Sequence, residues 1–270
     1  MPARKLLLAI DIGNTHTVLG VFRGPRILAD WRLTSSLQRT GDEVGIQVRQ
    51  FLETARVSPG DITRVGISSV VPDLTDVYAA MVRTYFRSEP LVIDSELDLG
   101  IRIHYDDPKA VGADRLCNAV AGFAHYGGPL IIIDFGTATT YDVVASNGDY
   151  LGGVIAPGIE TSAADLHRRA ARLPKIGLQL PSSVIGTDTV SSMQAGILLG
   201  AVDSMEGMVR RIQAELARRE RKPATVIATG GFSSFISRSS RIVRHVEPTL
   251  VLEGIRLICD RVNRRGKRAR

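Results

Sequence analysis

The chain has 270 residues, 44% of them hydrophobic and 23% charged, with a net charge of +6. That balance suits one large or two ordinary globular domains and excludes disordered, fibrous and disulfide-stapled classes. Six of the basic residues fall in the last ten, so residues 1–260 carry 28 basic against 28 acidic side chains and no general basic face for nucleic acid.

In chain order, the first apolar stretch, residues 6–10, stops at Asp11 and is too short for a signal-peptide core. No later run reaches membrane-spanning length, so a cytoplasmic protein with no membrane partner is expected. "LLLAI" reads as a strand, "TVLGVF" as a second and "ILADWRL" as a third, with a turn at "RGPR". The polar segment "LTSSLQRTGDE" (33–43) is either a mobile flap or an ordinary connection with a helix cap at Thr40. "DEVGIQVRQFLETARV" places Val44, Val48, Phe51 and Leu52 on one helical face. The strand "RVGISSVV", the helix "LTDVYAAMVRTYF" and the short strand "PLVID" follow. After an irregular stretch comes the helix "GADRLCNAVAGFAHY".

The pattern then starts again. With residue 134 set under residue 11, Asp134 meets Asp11, Gly136 meets Gly13, Thr140 meets Thr17 and Leu151 meets Leu28. "LIII", "TTYDVV" and "YLGGVIA" read as three more strands, the last two joined by the hairpin signal Asn147-Gly148. A long helix, or two in series, covers "TVSSMQAGILLGAVDSMEGMVRRIQAELARR". "ATVIATGG" is a strand entering a glycine turn, and "LEGIRLICDRVNRR" a final helix. Cys117 and Cys259 sit in apolar helical patterns without partner spacing and are expected as buried thiols. The histidines are scattered, with no transition-metal pattern. The terminal "RVNRRGKRAR" is expected as a solvated, disordered tail, with a weak polyanion contact as the alternative.

This duplication predicts an α/β protein of two domains, 1–127 and 128–260, facing each other across a cleft, with 261–270 as the tail. In each copy the tip of the first hairpin carries an aspartate, a glycine and hydroxyls. Small residues let backbone N–H groups approach phosphate closely. A carboxylate at the same tip must hold a cation or its waters, because it repels phosphate itself. The pair therefore reads as a nucleotide clamp. Asp11, Ile12, Gly13, Asn14, Thr15, His16, Thr17 and Val18 form the first phosphate turn. For Thr17 a buried strand threonine is the alternative. Asp114, at the start of a helix, is favoured in its charged form by the macrodipole. It is either a catalytic carboxylate or a simple cap.

"DIGNTHT" (11–17), "DDPKAVGADR" (106–115), "DFGTATT" (134–140), "GGVIAPG" (152–158), "GTDTVSSMQAG" (186–196) and "ATGGFS" (228–233) resemble, in order and spacing, the motif series of type III pantothenate kinase. That family is similar to the sugar kinases, heat-shock chaperones and actin-like ATPases. The resemblance implies duplicated actin-like, ribonuclease H-like domains with mixed sheets flanked by helices. It implies ATP-dependent phosphorylation of pantothenate, the first step of coenzyme A synthesis, with Mg²⁺ and a monovalent cation, K⁺ or NH₄⁺, in a homodimer. By the same resemblance Asp114 is the catalytic base. Tyr105, Gly112, Ala113, Asp114, Arg115 and Thr189 contact pantothenate, Thr137 touches the nucleotide, and Asp134 binds the monovalent cation. A guanidinium at 115 suits either the substrate carboxylate or the transferring phosphoryl group. Tyr105 is alternatively a packing residue. Gly230-Gly231 lets backbone pass adenine or ribose. "GGVIAPG" shapes a turn near the site or is purely structural. A non-catalytic relative of the same fold, or a kinase for another small hydroxy acid, is the competing reading.

Overall fold

The computed structural model describes residues 5–268. Two compact units emerge: one runs to Ala121 and resumes at Thr249, and the other is Gly122–Pro248. Each is built on a mixed five-stranded sheet.

In the first unit, β1 (Leu6–Ile12), β2 (His16–Arg23) and β3 (Arg26–Thr34) form an antiparallel meander. The β2–β3 turn uses Gly24 at φ +57°, a left-handed conformation that suits glycine. β4 (Ile62–Ser69) joins the other side of β1 in parallel and β5 (Leu91–Val92) extends it, giving the order β3-β2-β1-β4-β5. Helices α1 (Gly41–Thr54) and α2 (Pro72–Phe86) connect these strands. Val44, Val48 and Leu52 of α1 are buried as the spacing predicts, and Phe51 stacks on Trp31 with ring centroids 5.5 Å apart. Thr40 caps α1 in a reciprocal box with Glu43, so residues 33–43 end as a capped connection.

Helix α3 (Ala113–Tyr126) leads out of the first unit. In the second, β6 (Leu130–Phe135), β7 (Ala138–Val144) and β8 (Tyr150–Pro157) repeat the meander. β9 (Thr225–Gly230) lies parallel to β6, and β10 (His245–Val246) to β9, giving β10-β9-β6-β7-β8. This is the first unit's order over again, each new strand standing where its counterpart five earlier stood. Gly148 takes φ +91° in the expected β7–β8 hairpin.

The alternation of sequence missed three elements: α4 (Ile159–Arg169), the short helix α7 (Ser233–Ser239) and β10. "GGVIAPG" is mostly strand; only its last glycine lies past β8. Between α4 and β9, α5 (Thr189–Gln194) passes through a single wide π turn, Ala195–Leu199, into α6 (Gly200–Leu216), so the expected long helix is one continuous helix with an internal bulge.

The last described element is α8 (Leu250–Arg268), which belongs to the first unit although the sequence reading closes the second domain at residue 260. Leu252, Ile255 and Cys259 of α8 lie against Gly20 and Gly66, where a Cβ would approach them at 2.5–2.8 Å. Gly254 lets α8 touch the backbone of Cys117 on α3. The disordered tail is also corrected: residues 261–268 are helical, and Arg261 and Arg265 both pair with Asp98, at 2.9 and 2.6 Å. Residues 269–270 lie outside the described residues. Both cysteines are free and buried, and burial pushes the Cys259 thiol up to about 12.

Candidate functional site

In the first unit Asp11 stands on β1 opposite Val18, and Ile12 opposite Thr17. The turn between them closes with Gly13 N–H donating to the His16 carbonyl at 3.0 Å. Asn14 and Thr15 are exposed, Ile12 is buried in the core, and Thr17 has no exposed surface. Ser35, just past β3, staples this turn. Its N–H donates to the Thr15 carbonyl at 2.9 Å and its hydroxyl to the Gly13 carbonyl at 2.7 Å. The Thr17 and Ser35 hydroxyls are 2.9 Å apart. Thr17 therefore serves the frame of the turn. Asp11 is half-buried, and its Oδ1 accepts a hydrogen bond of 2.9 Å from the buried hydroxyl of Ser68 on β4.

Asp114 lies in the first turn of α3. Its Oδ1 accepts from the Arg115 N–H at 2.8 Å, and the side chain folds back over Gly112, where a Cβ would come within 2.5 Å of that oxygen. Burial raises the Asp114 carboxyl above its ordinary range, opposed by the Arg115 N–H and then its guanidinium. The helix position of Asp114 is visible in the sequence; the desolvation that raises its pKa appears only in the packed structure. Arg115 and Ala113 are buried. One turn along α3, burial, followed by the charges of Asp11 and then Asp114, holds the Cys117 thiol well above its usual range. Both carboxylates thus bear on one buried thiol of the first unit.

A cavity of about 700 Å³ opens beside Gly112 and Ala113, walled by Ser69, Thr75, Glu96 and Lys109 among others. Lys109 reaches Glu96 at 2.6 Å. Tyr105, 39% exposed, lies in the irregular segment that the Asp98 ion pairs anchor to α8.

In the second unit Asp134 stands opposite Thr140, and Phe135 opposite Thr139. The turn, closed by Gly136 N–H to the Ala138 carbonyl at 3.1 Å, is one residue shorter than the first. The counterpart of Thr17 is therefore Thr139, also buried, and not the Thr140 that a constant sequence offset selects. The Thr137 carbonyl accepts from Gly158 N–H at 3.1 Å and from the Thr161 hydroxyl at 2.6 Å. Gly158, the last residue of "GGVIAPG", touches this turn so closely that no Cβ would fit. Gly230, at φ +85°, ends β9 beside Asp134, where a Cβ would strike Asp134 Oδ1 and lie 2.6 Å from the Phe135 carbonyl. Thr189 is exposed at the start of α5, behind an Asp188 cap that Ser191 completes. Thr189 thus stands in a different unit from Tyr105 and Gly112–Arg115.

Ser35 and Ser68 were missed in the sequence. The signal for Ser68 was legible: "ISS" puts hydroxyls at the tip of an apolar strand, as "DIG" and "DFG" put carboxylates. Ser35 carried none.

Among the described residues no group of three or more His, Cys, Asp or Glu could hold a metal ion. Mg²⁺ beside nucleotide phosphates keeps several waters and takes one or two carboxylates, a donor set that a single half-buried carboxylate such as Asp11 suits. Beside Asp134, the absence of a side chain at Gly230 lets backbone pack directly against the carboxylate and the Phe135 carbonyl.

The sequence model of the type III pantothenate kinase family matches residues 7–211. The chain is 45% identical over 256 residues to a type III pantothenate kinase from Bacillus cytotoxicus, covering 95% of this chain and 96% of that one. It is 44% identical to one from Dehalococcoides mccartyi, with 95% and 96% covered, and 45% identical to one from Myxococcus xanthus, with 95% and 98% covered. Among solved structures, a putative Baf family transcriptional activator from Campylobacter jejuni superposes with a TM-score of 0.59 at 16% identity, over 95% of this chain and 99% of that one. A reductive activator for a corrinoid, iron–sulfur protein gives 0.56 at 12% identity, over 99% and 63%. These two likenesses are of fold.

Proposed function

The chain belongs to the type III pantothenate kinase family, and from that membership we propose that it transfers a phosphoryl group from ATP to the primary hydroxyl of pantothenate. The product, 4′-phosphopantothenate, begins coenzyme A synthesis. The observation that carries the reading in the structure is Asp114, a carboxyl made more basic by burial, placed at the head of α3 beside a cavity of about 700 Å³.

Phosphoryl transfer passes through a loose transition state, so orientation of the hydroxyl counts for more than early removal of its proton. Asp114 accepts that proton, and its raised pKa brings it nearer the range where a base works best. Gly112 leaves the space into which the carboxylate folds, and Arg115, paired to it through its own N–H, supplies positive charge for a substrate carboxylate or a transferring phosphoryl. Tyr105 and Thr189 complete the acceptor contacts. The turn of Asp11 to Val18 receives the nucleotide phosphates on its exposed Asn14 and Thr15 and on the backbone that Gly13 opens. Thr137 provides a second contact to the nucleotide. Mg²⁺ held through Asp11 and a monovalent cation held at Asp134 supply positive charge against the triphosphate when bound.

We place the enzyme in the cytoplasm as a homodimer. No helix among the described residues is long and apolar enough to cross a membrane, and both thiols are free. Exposed apolar side chains at Leu180, Val184 and Ile185, the last two 73% and 82% exposed, suit a covered face.

The test is ADP release with pantothenate, Mg²⁺ and ATP, run with and without potassium. Pantothenate-dependent ADP release that potassium stimulates supports the reading. Release that stays at background in both conditions overturns it.

A further inference from the structure

We propose that Ser68 is a positioning residue that sets the Asp11 carboxylate for the divalent cation accompanying ATP, an inference that rests on the nucleotide-binding part of the reading above. Asp11 and Ser68 are register partners on the adjacent parallel strands β1 and β4. The Ser68 hydroxyl donates to Asp11 Oδ1 at 2.9 Å and is itself fully buried. A hydroxyl without exposed surface touches no nucleotide; its partners are the Asp11 carboxylate and the buried Cys117 thiol, and of these only Asp11 stands at the phosphate turn. A carboxylate at a strand tip has two side-chain torsions to fix before it can hold a hydrated cation in one place. A hydrogen bond to a charged acceptor is among the stronger means of fixing them.

The internal repeat supports this independently. In the second unit the residue that pairs with Asp134 across the equivalent strands β6 and β9 is Thr229, also buried. Each acidic strand tip therefore has a buried hydroxyl residue as its register partner, although the two strand ends share no sequence identity in register: "GISS" ends one, "IATG" the other. Pairing of β1 with β4 does not depend on the side-chain bond, because the backbone ladder runs along both strands and Val70 N–H donates to the Ile12 carbonyl at 3.1 Å just beyond it. Loss of the hydroxyl alone should leave the sheet intact.

The experiment is calorimetric titration of the full chain with ATP, in Mn²⁺ and again in EDTA, for wild type, Ser68→Ala and Ser68→Thr. Wild type is expected to bind ATP more tightly with Mn²⁺. Ser68→Ala should lose roughly tenfold of the Mn²⁺-supported affinity, the order expected for a hydrogen bond to a charged group, with its EDTA value unchanged. Ser68→Thr, which keeps the donor and copies Thr229, should behave as wild type. Three results would overturn the proposal: Ser68→Ala matching wild type in both conditions, losing equally in both, or a wild type indifferent to Mn²⁺. Should Ser68→Ala fail to fold, Ser68→Cys, of similar size with a weaker donor, is judged by the same criteria. No pantothenate enters the titration. A chain that binds Mn²⁺ and ATP as expected yet releases no ADP with pantothenate would sink the substrate reading and leave the role of Ser68 standing.

Discussion

Gly230 stands against Asp134 so closely that a Cβ at 230 would collide with the carboxylate, and its φ of +85° is itself a glycine conformation. Gly230→Ala should therefore be strained twice, by backbone and by crowding, at about 1–3 kcal/mol for the crowding alone. It should also push the Asp134 carboxylate from its place at the strand tip. The expected result is a lower Tm together with a blunted response of turnover to potassium. Gly24→Ala makes the control: it too has a positive φ, but open space around it, so it should cost about 1 kcal/mol and leave the potassium response unchanged.

Asp114→Asn should fold normally and lose roughly 10²- to 10⁴-fold in kcat. The sign of its stability effect follows from the raised pKa. A carboxyl whose folded pKa lies above its unfolded value adds stability in acid, and that contribution disappears as pH rises through the folded pKa. At neutral pH the asparagine variant, which carries no charge to desolvate, should have a Tm equal to or above wild type. A clearly lower Tm at pH 7–8 would contradict this account of Asp114.

The same shift shapes the pH profile. Turnover requires the Asp114 carboxylate, so kcat/KM should fall as pH drops through a pKa above the ordinary aspartate value of about 3.9. The guanidinium of Arg115 opposes the shift. Arg115→Gln should therefore move the acid limb to higher pH, a displacement read directly from the profile whatever happens to its height.

Ser35 holds the first turn by three bonds, to Gly13, Thr15 and Thr17. Ser35→Ala keeps the backbone bond to Thr15 and loses the other two. At about 1 kcal/mol for a typical hydrogen bond, KM for ATP should rise roughly fivefold or more, with KM for pantothenate unchanged. Steady-state kinetics with each substrate varied in turn makes the check.

By composition, residues 261–270 are a solvated tail with no part in the fold. The structure reverses that expectation. Truncation at residue 260 removes both arginines that pair with Asp98 and frees the segment leading to Tyr105 and Gly112. These ion pairs are partly exposed and contribute about 1 kcal/mol or less each, so the expected effect is a modest fall in Tm and a raised KM for pantothenate, with wild-type behaviour when the cut is made after Arg265.

The duplication was readable because apolar strands that end in a carboxylate and a glycine are rare by chance and occur twice in register. Asp11, Asp134 and the helix carrying Asp114 followed from it. What stayed hidden depends on distances between segments far apart in the chain. The shortened second turn, which makes Thr139 the partner of Phe135, shows only in strand pairing. Ser35 became visible only when the end of β3 folded back on the first turn. The desolvation of Asp114 stayed hidden because helix position is legible in sequence, whereas burial is a property of the packed chain. The basic run after residue 260 looked like a tail by composition, since its acidic partner, Asp98, lies more than a hundred and sixty residues earlier.

Helix α8 covers the β1, β4 and β2 side of the first unit with a segment made only after the whole of Gly122–Pro248. During synthesis that sheet waits, one greasy face bare, while all of Gly122–Pro248 leaves the ribosome, an interval on the order of ten seconds at bacterial elongation rates. The second unit, contiguous in the chain, has everything it needs to close in the meantime. The portion begun first is thus completed only after the second unit has been made, and a message truncated before Thr249 yields a half that cannot seal itself.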